Sequence, residues 1–307
     1  MSSSSCLIFN PAAGPTDADT CLKEIQAQLS ADFSLTVYET TPDRDAEELA
    51  QDAIAAGFSR LFAAGGDGTV SGVAHAVLGT AIPLGIIPTG TANAFANALG
   101  IPNAIAPACQ IIRQQHTRQV DVGRCNGKAM VLFTSIGFGA EMSHHANREA
   151  KDRWGIMAYF IAALQNFQAF DTFQVQLTAD GHSLDLEATA ITIANTAPLT
   201  SLLAQGPDQL IADDGLFDVT IIAPQDWTDP LSKFTQGLAI SHDLLQSAIR
   251  QQTAQRDDIT CFRAKQIGVK THPPQKVMLD GEVIGTTPAE VHCVSQGLKL
   301  YIDSSHP

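Results

Sequence analysis

The fold is decided by one stretch of sequence, residues 61–69, which reads LFAAGGDGT. Its first half is a short, continuous apolar run, as in a strand that is buried on both faces, and its second half is a glycine-rich turn. Helical spacing follows the turn from Val70 to Leu78. Because strand, turn and helix in this order form the repeating unit of a parallel α/β sheet, we expect that architecture here.

The same alternation of short strands and helices extends over the first 122 residues. Turn residues separate the elements, and right-handed β-α-β units around a parallel sheet are the expected result. The patterns predict strands at 7–9, 35–38, 61–64, 84–87 and 118–122, and helices near 16–30, 45–56, 70–78, 93–99 and 103–115.

After Gly123 the pattern changes to alternating and β-branched runs, which predict an antiparallel β-sandwich or barrel-like domain. We therefore place a domain boundary near residue 122, with a β-rich second domain over 123–295. The patterns predict strands at 130–136, 173–177, 188–194, 217–222, 259–262, 266–270, 276–279 and 298–302, and helices at 154–170 and near 230–252.

Composition excludes several classes of protein. The chain has 307 residues, 45% of them hydrophobic, so it can build sizeable cores. A net charge of −14 argues against broad binding to nucleic acid or to an anionic membrane. The six cysteines are scattered without a paired motif and are expected to be free thiols. No apolar run is long enough for a signal peptide or a membrane span, so we expect a cytoplasmic protein that associates with membranes at most peripherally.

The turn at residues 65–69 is the strongest chemical motif. Glycines leave backbone N–H groups free at a helix N-terminus, which suits phosphate. The carboxylate of Asp67 would repel a polyphosphate unless a cation stands between them, so the residues jointly suggest a nucleotide phosphate with Mg²⁺. The alternative is a tight turn in which Asp67 or Thr69 only caps the helix.

Two further loops of small residues, 10–14 and 88–93, also follow strands, so all three loops are expected at one edge of the sheet, where they could bind one ligand. Other nucleotide motifs fit poorly. The chain has no G-x-x-x-x-G-K-[ST] pattern, and the dinucleotide pattern G-x-G-x-x-G fails because Ser71 stands at the third glycine position.

These loops resemble the three glycine-rich motifs of the diacylglycerol kinase catalytic family, which includes bacterial soluble lipid kinases, sphingosine kinases and ceramide kinases. Later segments of the chain resemble the family as well, at residues 137–141, 213–219 and 279–282. The resemblance implies an N-terminal NAD kinase/phosphofructokinase-like α/β domain, a β-sandwich, and a C-terminal segment 296–307 that returns to the first domain. It also implies ATP held between the domains, Mg²⁺, and transfer of phosphate to a lipid hydroxyl, most simply that of diacylglycerol.

Residue roles follow from the same resemblance. Asp67 would act through water on magnesium, Glu282 would be the general base, and Asp280 would lie beside it in the site. The two carboxylates would share one face if the strand continues through Gly281, but not if a hairpin turn intervenes. A structural magnesium would bind Asp214 and the carbonyls near Ile211 and Leu216. The nucleotide contacts would be Asn10, Thr40, Gly65, Gly66, Asp67, Gly68, Thr69, Val70, Ser71, Gly72, Thr89, Gly90, Thr91 and Asn93.

Two departures from the family pattern keep other functions open. Ala94 stands where the family commonly has aspartate, and residues 200–205 lack the usual tyrosine- and glycine-rich stretch. The alternatives are a NAD kinase-like enzyme, a nucleotide-dependent oxidoreductase and a non-catalytic nucleotide or lipid sensor. The expected partner is a lipid at a membrane surface, with a homodimer left open and no nucleic acid.

Overall fold

The structure is a computed structural model that describes residues 4–14, 16–137, 172–196, 214–222 and 259–303. It divides into two compact units. Unit 1 comprises Met1–Val122 and Ser295–Pro307, and unit 2 comprises Gly123–Val294. The helices predicted at 154–170 and near 230–252 lie outside the described residues. Within the described part, no helix is long and apolar enough to cross a membrane.

Unit 1 is a parallel α/β sheet, as the sequence predicts. Its four N-terminal strands pair in the order β2-β1-β3-β4, all in parallel. Side chains of Asp17 and Asp45 cap the first two helices. The elements are β1 (Ser4–Phe9), α1 (Ala18–Leu29), β2 (Ser34–Glu39), α2 (Ala46–Ala55), β3 (Arg60–Gly65), α3 (Asp67–Val77), β4 (Leu84–Pro88), α4 (Ala94–Ala98) and α5 (Ile105–Arg113).

The core of unit 1 includes the C-terminal segment of the chain. Strands β3 and β4 are buried on both faces, as expected for a parallel sheet that is covered by helices. On one face, Ile25 of α1 and Ile112 of α5 pack with Phe62. Tyr301 belongs to the same cluster, and its ring lies 6.0 Å from that of Phe62. The last strand therefore contributes an aromatic side chain to the core of this unit.

Unit 2 is an antiparallel sandwich, which decides between the two architectures that the sequence left open. Strands β16, β13, β8 and β9 form one sheet, and β12-β11-β10-β7-β14-β15 form the other. The strands that enter unit 2 are β5 (Thr117–Cys125), β6 (Lys128–Met130), β7 (Phe133–Ile136), β8 (Phe173–Ala179), β9 (His182–Ala188), β10 (Ala190–Ala194), β11 (Phe217–Ile222), β12 (Ile259–Ala264), β13 (Gln266–His272), β14 (Lys276–Leu279), β15 (Glu282–Thr286) and β16 (Ala289–Tyr301).

The sandwich is held by one apolar layer between its two sheets. Val175 and Leu177 alternate with exposed residues along β8, so that their side chains share one face. They belong to the same buried cluster as Ile193 and Val219 of the other sheet. Burial of these apolar side chains is the main force that holds the two sheets together.

Several strand boundaries differ from the sequence-based prediction. The expected single strand over 130–136 is wrong, because β6 ends at Met130 and β7 begins only at Phe133. Strands β9 and β15 were not predicted as separate elements, and β16 is 13 residues long rather than confined to 298–302. Polar residues dominate these segments because one side of each strand is exposed, so their apolar pattern is weak.

Candidate active site

Three loops of unit 1 meet where the strand order reverses. From β1 the chain moves outward to β2, and from β3 it moves the other way to β4, so the adjacent carboxyl ends of β1 and β3 form a switch point. Asn10 follows β1 and Thr69 follows β3, and the Asn10 Nδ2 donates to Thr69 Oγ1 at 3.0 Å. The first two loops are thus joined across the place where parallel sheets bind ligands.

The third loop packs against the other two without room for side chains. The backbone N–H of Thr89 donates to the carbonyl of Gly65 at 3.0 Å. A Cβ on Gly90 would lie 2.5 Å from the Cα of Gly66, and a Cβ on Gly14 would lie 2.0 Å from the carbonyl oxygen of Thr89. These contacts confirm that the three loops converge, and they explain why each contains glycine.

The turn at 65–69 presents the start of α3 to its surroundings. A Cβ on Gly65 would lie 2.4 Å from the Thr69 side chain, so the close turn requires glycine there. Helix α3 begins at Asp67, and its N-cap residue Gly66 offers no side-chain acceptor. Space beside Gly68 is open. N–H groups in the first turn of a helix have no partners within that helix, so they can bind an anion.

Asp67 is a half-buried carboxylate at this turn. Its Oδ1 accepts a hydrogen bond from the N–H of Phe95 at 3.3 Å. Burial raises the pKa of Asp67, while the N–H groups of Phe95, Ala94 and Asn93 act to lower that pKa. A carboxylate that has lost part of its hydration gains from a nearby cation. The Asp67 site therefore fits Mg²⁺ in donor type and in electrostatics.

Asn93 stabilises the third loop instead of extending from it. Its backbone is left-handed, with φ 47° and ψ 45°. Its Oδ1 accepts from the N–H of Gly90 at 3.0 Å, and its Nδ2 donates to the Gly90 carbonyl and to Asn103 Oδ1 at 2.9 and 3.0 Å. Asn103 was not predicted, because a partner ten residues away across a turn leaves no sequence pattern.

Three threonines lie at or near the ends of the strands. Thr40 directly follows β2, and its N–H donates to the carbonyl at the end of β1 at 2.9 Å. Thr89 has a buried hydroxyl oxygen that makes no hydrogen bond in the structure. Thr91, in the same loop, is exposed. A hydroxyl without a partner at this edge suits a polar ligand group, since burying it unpaired is costly.

The other predicted contacts within α3 have a different environment. Val70 is only 4% exposed, so its side chain belongs to the core. A Cβ on Gly72 would lie 3.1 Å from the backbone of α2, so this glycine allows the two helices to pack closely. Ser71, which lies between these two residues in the sequence, is half-buried. The structure therefore gives Val70 and Gly72 packing roles in α3.

In unit 2, Asp280 holds the break between β6 and β7. Its Oδ2 accepts from the N–H of Val131 at 2.8 Å, and its Oδ1 accepts from the N–H groups of Leu132 and Phe133, both at 2.9 Å. These three donors belong to residues that are at most 2% exposed. Three charge-assisted bonds explain why the strand expected over 130–136 is interrupted.

Glu282 lies at the start of β15 and is exposed. Asp280 and Gly281 both have positive φ, at 47° and 97°, and Leu279 pairs with Glu282. The hairpin turn therefore intervenes, which decides between the two alternatives: the two carboxylates do not share a strand face. Asp280 belongs to the turn, and only Glu282 has a place on a strand.

The predicted metal ligands in unit 2 are only partly within the described residues. Ile211 lies outside them. Asp214 Oδ1 accepts from the N–H of Leu216 at 3.1 Å. Asp214 Oδ2 lies 2.6 Å from Nη2 of Arg263, a residue that the sequence analysis did not select. The only available signal was that Arg263 precedes a turn in a β-rich region, which does not identify a partner.

Comparisons with known proteins agree with both units. A family model described as the diacylglycerol kinase catalytic domain matches residues 4–125, and one described as the YegS C-terminal NAD kinase beta sandwich-like domain matches residues 133–302. A "Probable lipid kinase YegS-like" of Pseudomonas aeruginosa is 36% identical over 69% of this chain and 71% of that protein. A "Diacylglycerol kinase" of Bacillus subtilis is 27% identical over 92% of this chain and 91% of that protein.

A solved structure agrees as well. The crystal structure of a candidate diacylglycerol kinase from Bacillus anthracis has a TM-score of 0.82 and 27% identity, and the match covers 99% of this chain and 97% of that one. The fold and the three converging loops, together with these relatives, define a lipid kinase. The chain belongs to the diacylglycerol kinase catalytic family.

Proposed function

We propose that this protein is an ATP- and magnesium-dependent kinase that phosphorylates the hydroxyl of diacylglycerol to give phosphatidic acid. The observation that carries the proposal is the meeting of three glycine-containing loops at the switch point of the sheet, with the half-buried Asp67 among them. Phosphoryl transfer depends mainly on positioning and on charge stabilisation, so backbone donors and a carboxylate that holds a metal are the expected parts.

In this proposal unit 1 binds the nucleotide. N–H groups at the start of α3 hold the phosphate oxygens. The phosphate can approach closely because the N-cap residue Gly66 has no side chain and the space beside Gly68 is open. Thr40, Thr89 and Thr91 supply polar contacts from neighbouring strand ends. Asp67 would hold Mg²⁺ through water, and the metal would neutralise charge on the phosphate oxygens.

Unit 2 supplies the proton acceptor. Glu282 is exposed at the first position of β15, and we assign to it the proton of the lipid hydroxyl. Asp280 acts as a positioning residue, because its three bonds to 131–133 fix the hairpin that carries Glu282. The lipid hydroxyl loses its proton to Glu282 as its oxygen forms the new bond to the γ-phosphorus of ATP, and the bond to the ADP leaving oxygen breaks.

The direct test is product analysis with γ-labelled ATP. Purified protein is incubated with Mg²⁺ and with mixed micelles that contain diacylglycerol, ceramide, sphingosine or monoacylglycerol, and the lipids are separated. We expect the label to appear in phosphatidic acid, and we expect this labelling to require Mg²⁺. Label in another lipid would preserve the kinase and change its substrate, whereas ATP that stays intact with every lipid would contradict the proposal.

Matched variants connect the product to the site. Glu282→Gln removes the proposed base, and Glu290→Gln changes another exposed carboxylate of unit 2 as a control. We expect only the first to lose turnover. Asp67→Asn is compared in the same way with Asp52→Asn, an exposed carboxylate on α2. If a variant and its control lose the same fraction of turnover, the replaced site residue has no specific part in the activity.

A NAD kinase-like activity is the second candidate, because the family model that matches unit 2 is described as NAD kinase beta sandwich-like. The same assay with NAD as acceptor distinguishes it, since the labelled product is then water-soluble NADP. We also propose that the lipid is taken from a membrane surface by peripheral contact. Co-sedimentation with vesicles that contain diacylglycerol measures that contact independently of turnover.

A further inference from the structure

Arg263 joins two carboxylates in unit 2. Its Nη2 lies 2.6 Å from Asp214 Oδ2, and its Nε lies 3.1 Å from Asp218 Oδ1. The Arg263 side chain is 13% exposed, and each of the two aspartate side chains is 24% exposed. Charges that are partly shielded from water interact more strongly than fully exposed pairs do. Arg263 and Asp218 are therefore half-buried partners in the sandwich, and Asp214 joins them from an exposed turn.

The sheet register holds this cluster in place. Asp218 of β11 pairs directly with Arg263 of β12, so the two side chains are cross-strand neighbours. Asp214 lies in the preceding turn, where Gly215 has φ 76° and Leu216 donates its N–H to Asp214 Oδ1. One guanidinium thus ties the turn at 214–216 to the sheet, and its planar fork suits two carboxylates better than an ammonium would.

These contacts disagree with a structural Mg²⁺ on Asp214. Mg²⁺ requires a near-octahedral set of oxygen ligands and binds through anionic oxygens. Here one Asp214 oxygen accepts an N–H and the other lies against a guanidinium, whose positive charge would repel the metal.

We propose that Arg263 is the resident cation of this turn, so that unit 2 keeps its 214–216 loop in place without a divalent metal. A protein-borne charge cannot be removed by chelation or by a fall in magnesium concentration. The structural role of the loop is then independent of the metal that the phosphate site uses. This inference concerns unit 2 alone and does not depend on the proposed kinase activity.

The test is thermal unfolding of the full chain without nucleotide, in EDTA and in about 10 mM Mg²⁺. We expect the wild-type Tm to be the same in both. Arg263→Met should lower Tm by about 5–10 °C in EDTA, because it leaves two carboxylates facing each other. Mg²⁺ should then restore part of that loss, since the vacated place becomes a cation site. Arg263→Lys, which keeps the charge but not the fork, should lie between the two.

Asp214→Asn identifies the source of any magnesium effect. If Mg²⁺ raises the wild-type Tm and Asp214→Asn removes this gain, the metal occupies the turn and the proposal is overturned. A gain that survives Asp214→Asn comes from another site and supports it. These two proteins decide the question even if Arg263→Met does not fold. Hydrogen exchange of the 214–222 segment, slow in EDTA for wild type and fast for Arg263→Lys, provides a second readout.

Discussion

Replacing Asp280 separates a structural anchor from a catalytic carboxylate. The Asp280 carboxylate accepts three N–H groups from buried residues, at 2.8, 2.9 and 2.9 Å. Asp280→Ala removes all three acceptors and also places alanine at φ 47°. Unpaired buried donors cost about 1–3 kcal/mol each, and the left-handed backbone costs alanine about 1 kcal/mol more. Because such losses are not fully additive, we expect a decrease of about 4–7 kcal/mol in the free energy of unfolding.

Asp280→Asn is the graded comparison. The amide oxygen can keep the two bonds to Leu132 and Phe133, while the amide NH₂ meets the N–H of Val131, donor against donor. Asparagine also tolerates the left-handed conformation. One lost bond and a lost charge give about 1–3 kcal/mol. At about 2–4 °C per kcal/mol, Tm should fall by roughly 2–12 °C for asparagine and by at least about 8 °C for alanine.

The assay combines thermal melting with kcat measured at a temperature where each variant is folded. We expect the kcat of folded Asp280→Asn to fall by less than the factor of about 10² that a missing general base costs. Native melting curves for both variants would refute the anchoring role. A native Tm with kcat reduced by 10² or more in Asp280→Asn would instead place this carboxylate in the chemistry.

Three further outcomes are expected. Asp67→Asn should abolish phosphoryl transfer yet raise Tm at pH 8. Burial raises the pKa of Asp67 in the folded state, so the charged carboxylate lowers stability above that pKa and asparagine removes this cost. The gain in Tm should therefore shrink as the pH falls towards 3.8, the ordinary pKa of aspartate. Glu282→Gln should lower kcat by about 10²–10⁴ with an unchanged dissociation constant for ATP by calorimetry, and a full-rate variant would remove Glu282 from the mechanism. Gly90→Ala places a Cβ 2.5 Å from Gly66 and should weaken ATP binding at least about tenfold, whereas Gly79→Ala, with open space but φ 75°, should reduce only Tm.

The α/β half of the fold was predictable because its signals are local. Apolar runs such as 61–64 form strands that are buried on both faces and are followed by a turn and a helix, and Asp17 and Asp45 cap the first two of these helices. The β-rich half was predictable as a class but less well in its boundaries. In β15 four of the five residues are exposed, and in β9 most are exposed or half-buried, so the apolar contrast that reveals a strand is small.

The phosphate-type loops were also visible in the sequence, since glycine, threonine and asparagine after the strands β1, β3 and β4 must lie at one edge of a parallel sheet. The sequence did not show which of those residues remain available to bind a ligand. Asn93 and Gly72 resemble site residues by their position in the sequence. In the structure, however, Asn93 forms hydrogen bonds within its own loop, and Gly72 allows α2 to pack closely against α3. Only packing distances separate such roles.

Local sequence patterns were enough to predict an α/β domain, a β-rich domain after it, and a phosphate-type loop that contains an acidic residue. What the acidic residues of the second half contact could be read only from the folded structure. Asp280 reaches amides 147 to 149 positions away, and Asp214 reaches Arg263 on a different strand. Periodicity and turn preferences arise from neighbours along the chain, whereas these pairings depend on strand register, which is fixed when the whole sandwich closes on its core.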